Sequence, residues 1–128
     1  MKNKVFIATS SFAVRDKNIL KILKKNFLVK LNPLGRKLNS SELILYAQDC
    51  THIIAGTEVY DQQVIEKLKN LKFIFRLGSG TDNIDMALLK KKKIKILKSS
   101  VTLEKAVGEL TLAYVLNLYR KILIQDKN

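Results

Sequence analysis

Residues 76–85 read RLGSGTDNID, so two glycines and two carboxylates fall within ten positions. Gly78 and Gly80 stand in G-x-G spacing, which lets a backbone approach an anion closely and offer it bare N–H groups. Asp82 and Asp85, three apart, could ligate a cation. They could equally close a loop by hydrogen bonds and cap the helix that follows. A phosphate-cradling loop, a metal site and an elaborate turn are all compatible with this stretch taken alone.

The rest of the chain offers little else that could do chemistry. His52 is its one histidine and Cys50 its one cysteine. His52 falls at the start of a strand, at the end of the sheet away from the glycine loop, and a solvated or core-edge role is expected. Cys50 is expected to be a small buried hydrophobe. The spacing of Asp82 and Asp85 suits loop closure and an N-cap better than a cation, and no metal is expected. A dinucleotide fingerprint needs G-x-G-x-x-G between a first strand and its helix. Of the five glycines only Gly78 and Gly80 have the first spacing, position 83 is Asn, and no complete fingerprint exists.

Positioning such a loop requires a folded scaffold, and 128 residues with 47% hydrophobic content suffice for one domain with a core. A single cysteine excludes an internal disulfide and fits a reducing compartment. The first ten residues lack the apolar run of a secretory signal, and the chain is expected to be soluble and cytoplasmic. The formal charge of +13 rests on 24 basic against 11 acidic residues. Clustered lysines could bind a polyanion. The excess is mostly lysine, spread along the chain with few aromatics between. That favours a solvated surface over nucleic-acid recognition, which leans on arginine forks and stacking rings.

Short apolar runs alternate with amphipathic segments. Strands are expected at 5–8, 27–31, 52–55, 73–75 and 94–97. Between them, helices are expected to open at Asp16, with Ile19, Leu20, Ile22 and Leu23 on one face, and at Asn39, where Glu42 completes a capping box. Further helices open at Asp61 and at Asp85, the last of these running to Lys91. A long helix over 103–124 follows the fifth strand. Strands separated by helices imply crossovers and a parallel sheet covered on both faces. The expected fold is α/β, a flavodoxin-like, doubly wound five-stranded parallel sheet of order 2-1-3-4-5 with a long C-terminal helix. Ligands of such sheets bind at the carboxyl ends of the strands, so the loops at 9–14, 56–60, 77–83 and 98–102 carry the interest. A phosphorelay receiver is excluded, because its acidic pair and aspartate are replaced by Thr9-Ser10-Ser11 and Gly56-Thr57-Glu58. A flavin phosphate loop is disfavoured by the lack of a glycine after the first strand.

The segments KVFIATSSF, LNPLGRKLNSSEL, IIAGTE, LKFIFRLGSGTDNID and AVGELTLAYVLNLYRKI together resemble the D-isomer-specific 2-hydroxyacid dehydrogenases, in particular their phosphoglycerate-dehydrogenase-like branch. The resemblance runs from about Lys4 to Ile122. It implies a substrate (catalytic) domain over 1–102 and a connecting helix over 103–128 leading toward an NAD-binding domain. That domain, with the family's catalytic arginine, glutamate and histidine, would lie past Asn128. This chain alone is therefore expected to be the substrate-binding portion, inactive in hydride transfer between nicotinamide and C2 of a 2-hydroxy or 2-keto acid. It also implies that the N–H groups of Ser79 and Gly80 hold the substrate carboxylate, with Gly78 allowing close approach.

Arg76 could pair with substrate charge or brace Asp82 or Asp85. Asp82, Asn83 and Asp85 are expected to shape the loop. Two departures from the family pattern stand out. The arginine typical of phosphoglycerate enzymes after the third strand is replaced by Ala55-Gly56-Thr57-Glu58, which leaves Thr57 to bond a hydroxy acid. The family's N-T-P-G-A-N segment is replaced by residues 98–103, where Ser100 and Thr102 are the remaining candidates for cofactor contact. A stand-alone module that self-associates through the 103–124 helix is the alternative reading, and a polyanion-binding protein a further one.

Overall fold

The computed structural model describes residues 3–10, 17–78 and 80–98. The 103–124 helix, the 103–128 segment and the helix start at Asp16 lie outside the described residues. The elements alternate along the chain: β1 Asn3–Ile7, α1 Lys17–Asn26, β2 Phe27–Leu31, α2 Ser40–Ala47, β3 His52–Ala55, α3 Gln62–Lys67, β4 Phe73–Arg76, α4 Met86–Lys91 and β5 Lys95–Lys98. All four strand pairings are parallel, in the order β2-β1-β3-β4-β5. The doubly wound α/β sheet anticipated from the alternation is thus the observed one.

Local chemistry explains where the helices begin. Asn39 accepts from the Glu42 N–H at 2.9 Å while the Glu42 carboxylate accepts from the Asn39 N–H at 3.0 Å, a reciprocal capping box. Asp61 caps α3 through the Val64 N–H and Asp85 caps α4 through the Leu88 N–H. The α4 turn ends on Lys93 in the left-handed region, φ 59°. Its successor Ile94 returns an N–H to the Leu89 carbonyl at 2.9 Å.

The sheet divides the core. On one face Phe6, Ile53, Ala55 and Ile74 meet Leu43, Val64, Ile65 and Leu89 from α2, α3 and α4. On the other, Val5, Ile7, Ile54 and Phe75 meet Ile19 and Leu23 of α1. Alternate residues of one strand thus serve opposite layers, as the pleat demands. Burying each of the Val, Leu, Ile and Phe side chains among these contributes roughly 1.5–3 kcal/mol.

Some expectations need adjustment. Ile22 is exposed at 38%, outside the buried stripe of α1, which rests on Ile19 and Leu23. β5 begins at Lys95, because Ile94 is spent on closing the α4 turn. β1 extends back to Asn3 and stops at Ile7, although the Ala8 N–H still bonds the Ile54 carbonyl at 3.0 Å. Of the solvated or core-edge roles expected for His52, the solvated one is not observed. The residue is buried, stacked on Phe73 with ring centroids 4.7 Å apart and edge-on to Phe27 at 5.2 Å. Burial pushes its pKa down to about 4. Cys50 is buried as expected, and burial raises its thiol to about 11.

Candidate functional site

The central strands β3 and β4 end together. Ala55 pairs with Arg76 in register, and the Leu77 N–H donates to the Ala55 carbonyl at 2.9 Å. Their following loops therefore leave the carboxyl end of the sheet side by side. A second set of bonds ties them further out. The Tyr60 N–H donates to the Asn83 carbonyl at 2.7 Å, and the Asp85 N–H to the Tyr60 carbonyl at 2.9 Å. The Asn83 side-chain amide then reaches across, donating to the carbonyls of Gly56 at 3.2 Å and Glu58 at 2.7 Å. One asparagine thereby satisfies two carbonyls of a loop that has no strand neighbour there.

Within the 77–83 loop, Gly78 adopts φ 120°, a conformation that L side chains rarely enter. A Cβ there would stand 3.1 Å from Nη1 of Arg76. Gly80 is exposed, and a Cβ on it would meet nothing within 4 Å, so its backbone faces open space. Arg76 curls beneath this turn. Its Nη1 donates to the Leu77 carbonyl, and its Nε is the buried side-chain nitrogen without a partner among the described residues. Asp85 is committed to capping α4, and Asp82 is exposed. Ser79, Ser100 and Thr102 lie outside the described residues.

In the neighbouring loop Thr57 is exposed, flanked by buried Gly56 and Glu58. Sequence reasoning passed over Glu58 as merely the place where an arginine is missing. The structure buries it to 2% exposure. Its carboxylate accepts from the Gly56 N–H at 2.8 Å and from the Tyr60 hydroxyl at 3.2 Å. Burial, and then the adjoining carboxylate, push the Tyr60 phenol well above its usual range, so Tyr60 remains a donor. Gly56 is packed tightly, since a Cβ there would lie 3.0 Å from Cβ of Thr9 at the end of β1 and 3.1 Å from Oε1 of Glu58. The one available signal was the pattern G-x-E-x-Y, in which alternation turns Glu58 and Tyr60 to the same side.

Chemically, this end of the sheet offers backbone donors on an open turn, one arginine folded under it and hydroxyls at its rim. Among the described residues no group of three or more His, Cys, Asp or Glu side chains is placed to hold a metal. After β1 the chain runs into Ala8-Thr9-Ser10, without the glycine of a dinucleotide fingerprint. Among the described residues no helix is long and apolar enough to cross a membrane.

Comparison with known proteins agrees with the geometry. The model of the D-isomer specific 2-hydroxyacid dehydrogenase catalytic domain matches residues 6–121. A Staphylococcus haemolyticus protein described as a 2-hydroxyacid dehydrogenase is 30% identical over 110 residues, covering 84% of this chain and 34% of its own length. A Polaromonas structure described as a D-isomer specific, NAD-binding 2-hydroxyacid dehydrogenase superposes with a TM-score of 0.67 at 27% identity, over 76% of this chain and 30% of that one. The NAD+-bound 3-phosphoglycerate dehydrogenase of Entamoeba histolytica gives a TM-score of 0.63 at 25% identity, over 77% of this chain and 33% of that one. The chain thus spans about a third of the length of the relatives it matches. With the parallel sheet, the R-x-G-x-G-x-D-N-I-D turn and a match over most of its length, the chain belongs to the D-isomer specific 2-hydroxyacid dehydrogenase family and carries sequence of its catalytic domain.

Proposed function

We propose that this chain supplies the substrate-holding part of an NAD-dependent 2-hydroxyacid dehydrogenase and does not complete the reaction by itself. The observation that carries the reading is the turn after β4. There Gly78 adopts φ 120° and Gly80 is exposed, with nothing within 4 Å of where its Cβ would be. In this reading the N–H groups of Ser79 and Gly80 hold the carboxylate of a 2-hydroxy or 2-keto acid. Arg76, whose Nη1 lies 3.1 Å from where a Cβ on Gly78 would be, supplies a cation, and Thr57 on the neighbouring loop donates to the C2 oxygen. Backbone donors suit a carboxylate because they are fixed in direction and cost no side-chain ordering.

Asp82, Asn83 and Asp85 then have supporting roles. Asn83 ties the two loops, Asp85 fixes the start of α4, and Asp82 belongs to the turn that joins them. Ser100 and Thr102 are the proposed points of approach to the cofactor. The cofactor, which supplies or accepts hydride at C2, is assigned to a partner domain, because no dinucleotide fingerprint occurs in these 128 residues. The connecting segment 103–128 is proposed to lead to that domain. What this chain contributes is binding and orientation of the acid before the cofactor side closes over it.

The test is an NMR titration of the labelled chain with pyruvate as the simplest 2-keto acid. Amide shifts concentrated at Gly80 and the neighbouring turn are expected, and shifts confined to the opposite end of the sheet would sink the assignment. NADH oxidation by these 128 residues alone, over a panel of 2-keto acids, is expected to be absent.

A further inference from the structure

The parallel fold sorts the lysine excess in a way that the linear sequence hides. Helices between parallel strands run against them, so helix C-termini and strand N-termini gather at one end of the sheet. At this end a row of backbone bonds crosses the sheet. The Thr51 N–H donates to the Lys4 carbonyl, the Lys72 N–H to the Thr51 carbonyl, and the Lys95 N–H to the Lys72 carbonyl. With adjacent strands about 4.8 Å apart, Lys72 and Lys95 are held as neighbours. The α3–β4 stretch 67–72 adds Lys67 and Lys69, and the α4–β5 stretch 90–95 adds four consecutive lysines. Together these two stretches hold eight lysines and no acid.

These lysines are exposed, and none has an ion pair among the described residues. The contact at Lys95 is to the Phe73 ring, 5.7 Å from its centroid. Two acids of neighbouring connections and helices are otherwise engaged. Asp49 is held by both Lys4 and Lys30 at 3.0 and 2.8 Å, and Glu66 accepts from Gln62 at 3.1 Å. Helix-dipole complementarity accounts for Lys90 and Lys91 in the last turn of α4. It does not account for Lys72 and Lys95 at strand starts. Between the stretches lies a depression of about 280 Å3, floored by Leu68, Leu71 and Ile94 and flanked by Lys69 and Lys92.

We infer that this lysine end is a docking surface for the phosphate backbone of double-stranded DNA, independent of the substrate turn at the opposite end of the sheet. Unpaired ammonium groups spread over two adjacent connections match a repeating phosphate array, which they neutralise with release of counterions. Among the described residues the exposed large apolar side chains include no aromatic, and half-buried Phe73 lies under Lys95, so unpaired bases would find no open stacking platform there. None of those apolar side chains falls within 67–72 or 90–95, so a lipid surface would gain no insertion there. The two described arginines, Arg36 and Arg76, bond Glu42 and the Leu77 carbonyl, so base-edge readout is not expected and binding should be indifferent to sequence.

The test is fluorescence anisotropy of the whole chain with a labelled duplex of about 20 base pairs, titrated with salt. If about four phosphates are neutralised, affinity falls about 100-fold between about 50 and 200 mM salt. The triple variant K72Q/K92Q/K95Q should lose most of that salt dependence. The triple variant K21Q/K37Q/K98Q, equal in charge but elsewhere on the molecule, should stay within about threefold of the parent. Equal weakening by both triples, a flat salt dependence, or tighter binding to single-stranded DNA or to phosphatidylserine vesicles would each overturn the proposal.

Discussion

Asn83 and Glu58 are joined by a 2.7 Å bond from the asparagine side-chain amide to the glutamate's own carbonyl, across 25 residues of chain. The same amide reaches the Gly56 carbonyl at 3.2 Å. One side chain thus adds two bonds to the backbone bonds that already tie the loops at the carboxyl end of β3 and β4. Replacing Asn83 by Ala leaves two carbonyls without that donor and should cost about 1–3 kcal/mol. Urea denaturation would show this as a lower midpoint at unchanged slope. Asn83→Asp, which exchanges the donor for an acceptor, should be at least as damaging.

Gly78 and Gly80 should separate folding from binding. Gly78→Ala forces a side chain into φ 120° and against Arg76, and a loss of about 1–3 kcal/mol is expected. Gly80→Ala meets nothing within 4 Å, so its stability should stay within about 0.5 kcal/mol of the parent. Its methyl group would nonetheless occupy the space assigned to the acid, and pyruvate titration should weaken. An unchanged titration with Gly80→Ala would remove Gly80 from the proposed site.

His52 gives the chain a pH signature. Its folded pKa is lowered to about 4 from an ordinary 6.5, so between those values the unfolded chain takes up a proton that the folded chain refuses. Stability should therefore be unaffected above pH 6.5 and decline as pH falls toward 4, by at most about 3 kcal/mol. Glu42 has an opposite chemistry but the same direction. Arg36 holds its carboxylate down at about 2 from 4.5, so its contribution is lost only below pH 4.5. Urea midpoints from pH 7 to 5 should flatten in His52→Phe, while the loss below 4.5 persists.

Lys93 carries a side chain at φ 59°, where a glycine would be at ease. Lys93→Gly should raise stability by about 0.5–1 kcal/mol, because the left-handed strain outweighs the added freedom of the unfolded chain. A thermal melt of the two proteins side by side decides it.

Much of this molecule could be read from the sequence because the determining forces are local. The strands Phe27–Leu31 and His52–Ala55 are apolar runs bounded by polar turns, and their limits were legible to the residue. Asn39, Asp61 and Asp85 announce helix starts through hydrogen bonds that span three residues. What was hidden depends on how the chain packs. Only the alternation G-x-E-x-Y hints that Glu58 is buried, and its carboxylate is held inside by the Gly56 N–H and the Tyr60 hydroxyl. The path of Arg76, back to the Leu77 carbonyl rather than out to Asp82 or Asp85, is set by the turn it supports. Ile22 looked apolar enough for the core, but α1 covers the sheet with a stripe only two residues wide in its buried part.

Among the described residues, the order β2-β1-β3-β4-β5 leaves β2 and β5 as the outermost strands of the sheet, each with a row of backbone groups that no described strand occupies. β2 exposes Leu28 and Leu31, and its one lysine, Lys30, is paired with Asp49 at 2.8 Å. β5, by contrast, is fenced with charge, bracketed by Lys95 and Lys98. An approaching strand from a second molecule would have to bring like charges together before any hydrogen bond formed. Strand addition is thereby discouraged at the β5 margin, so Lys95→Val should make the chain more prone to polymerise.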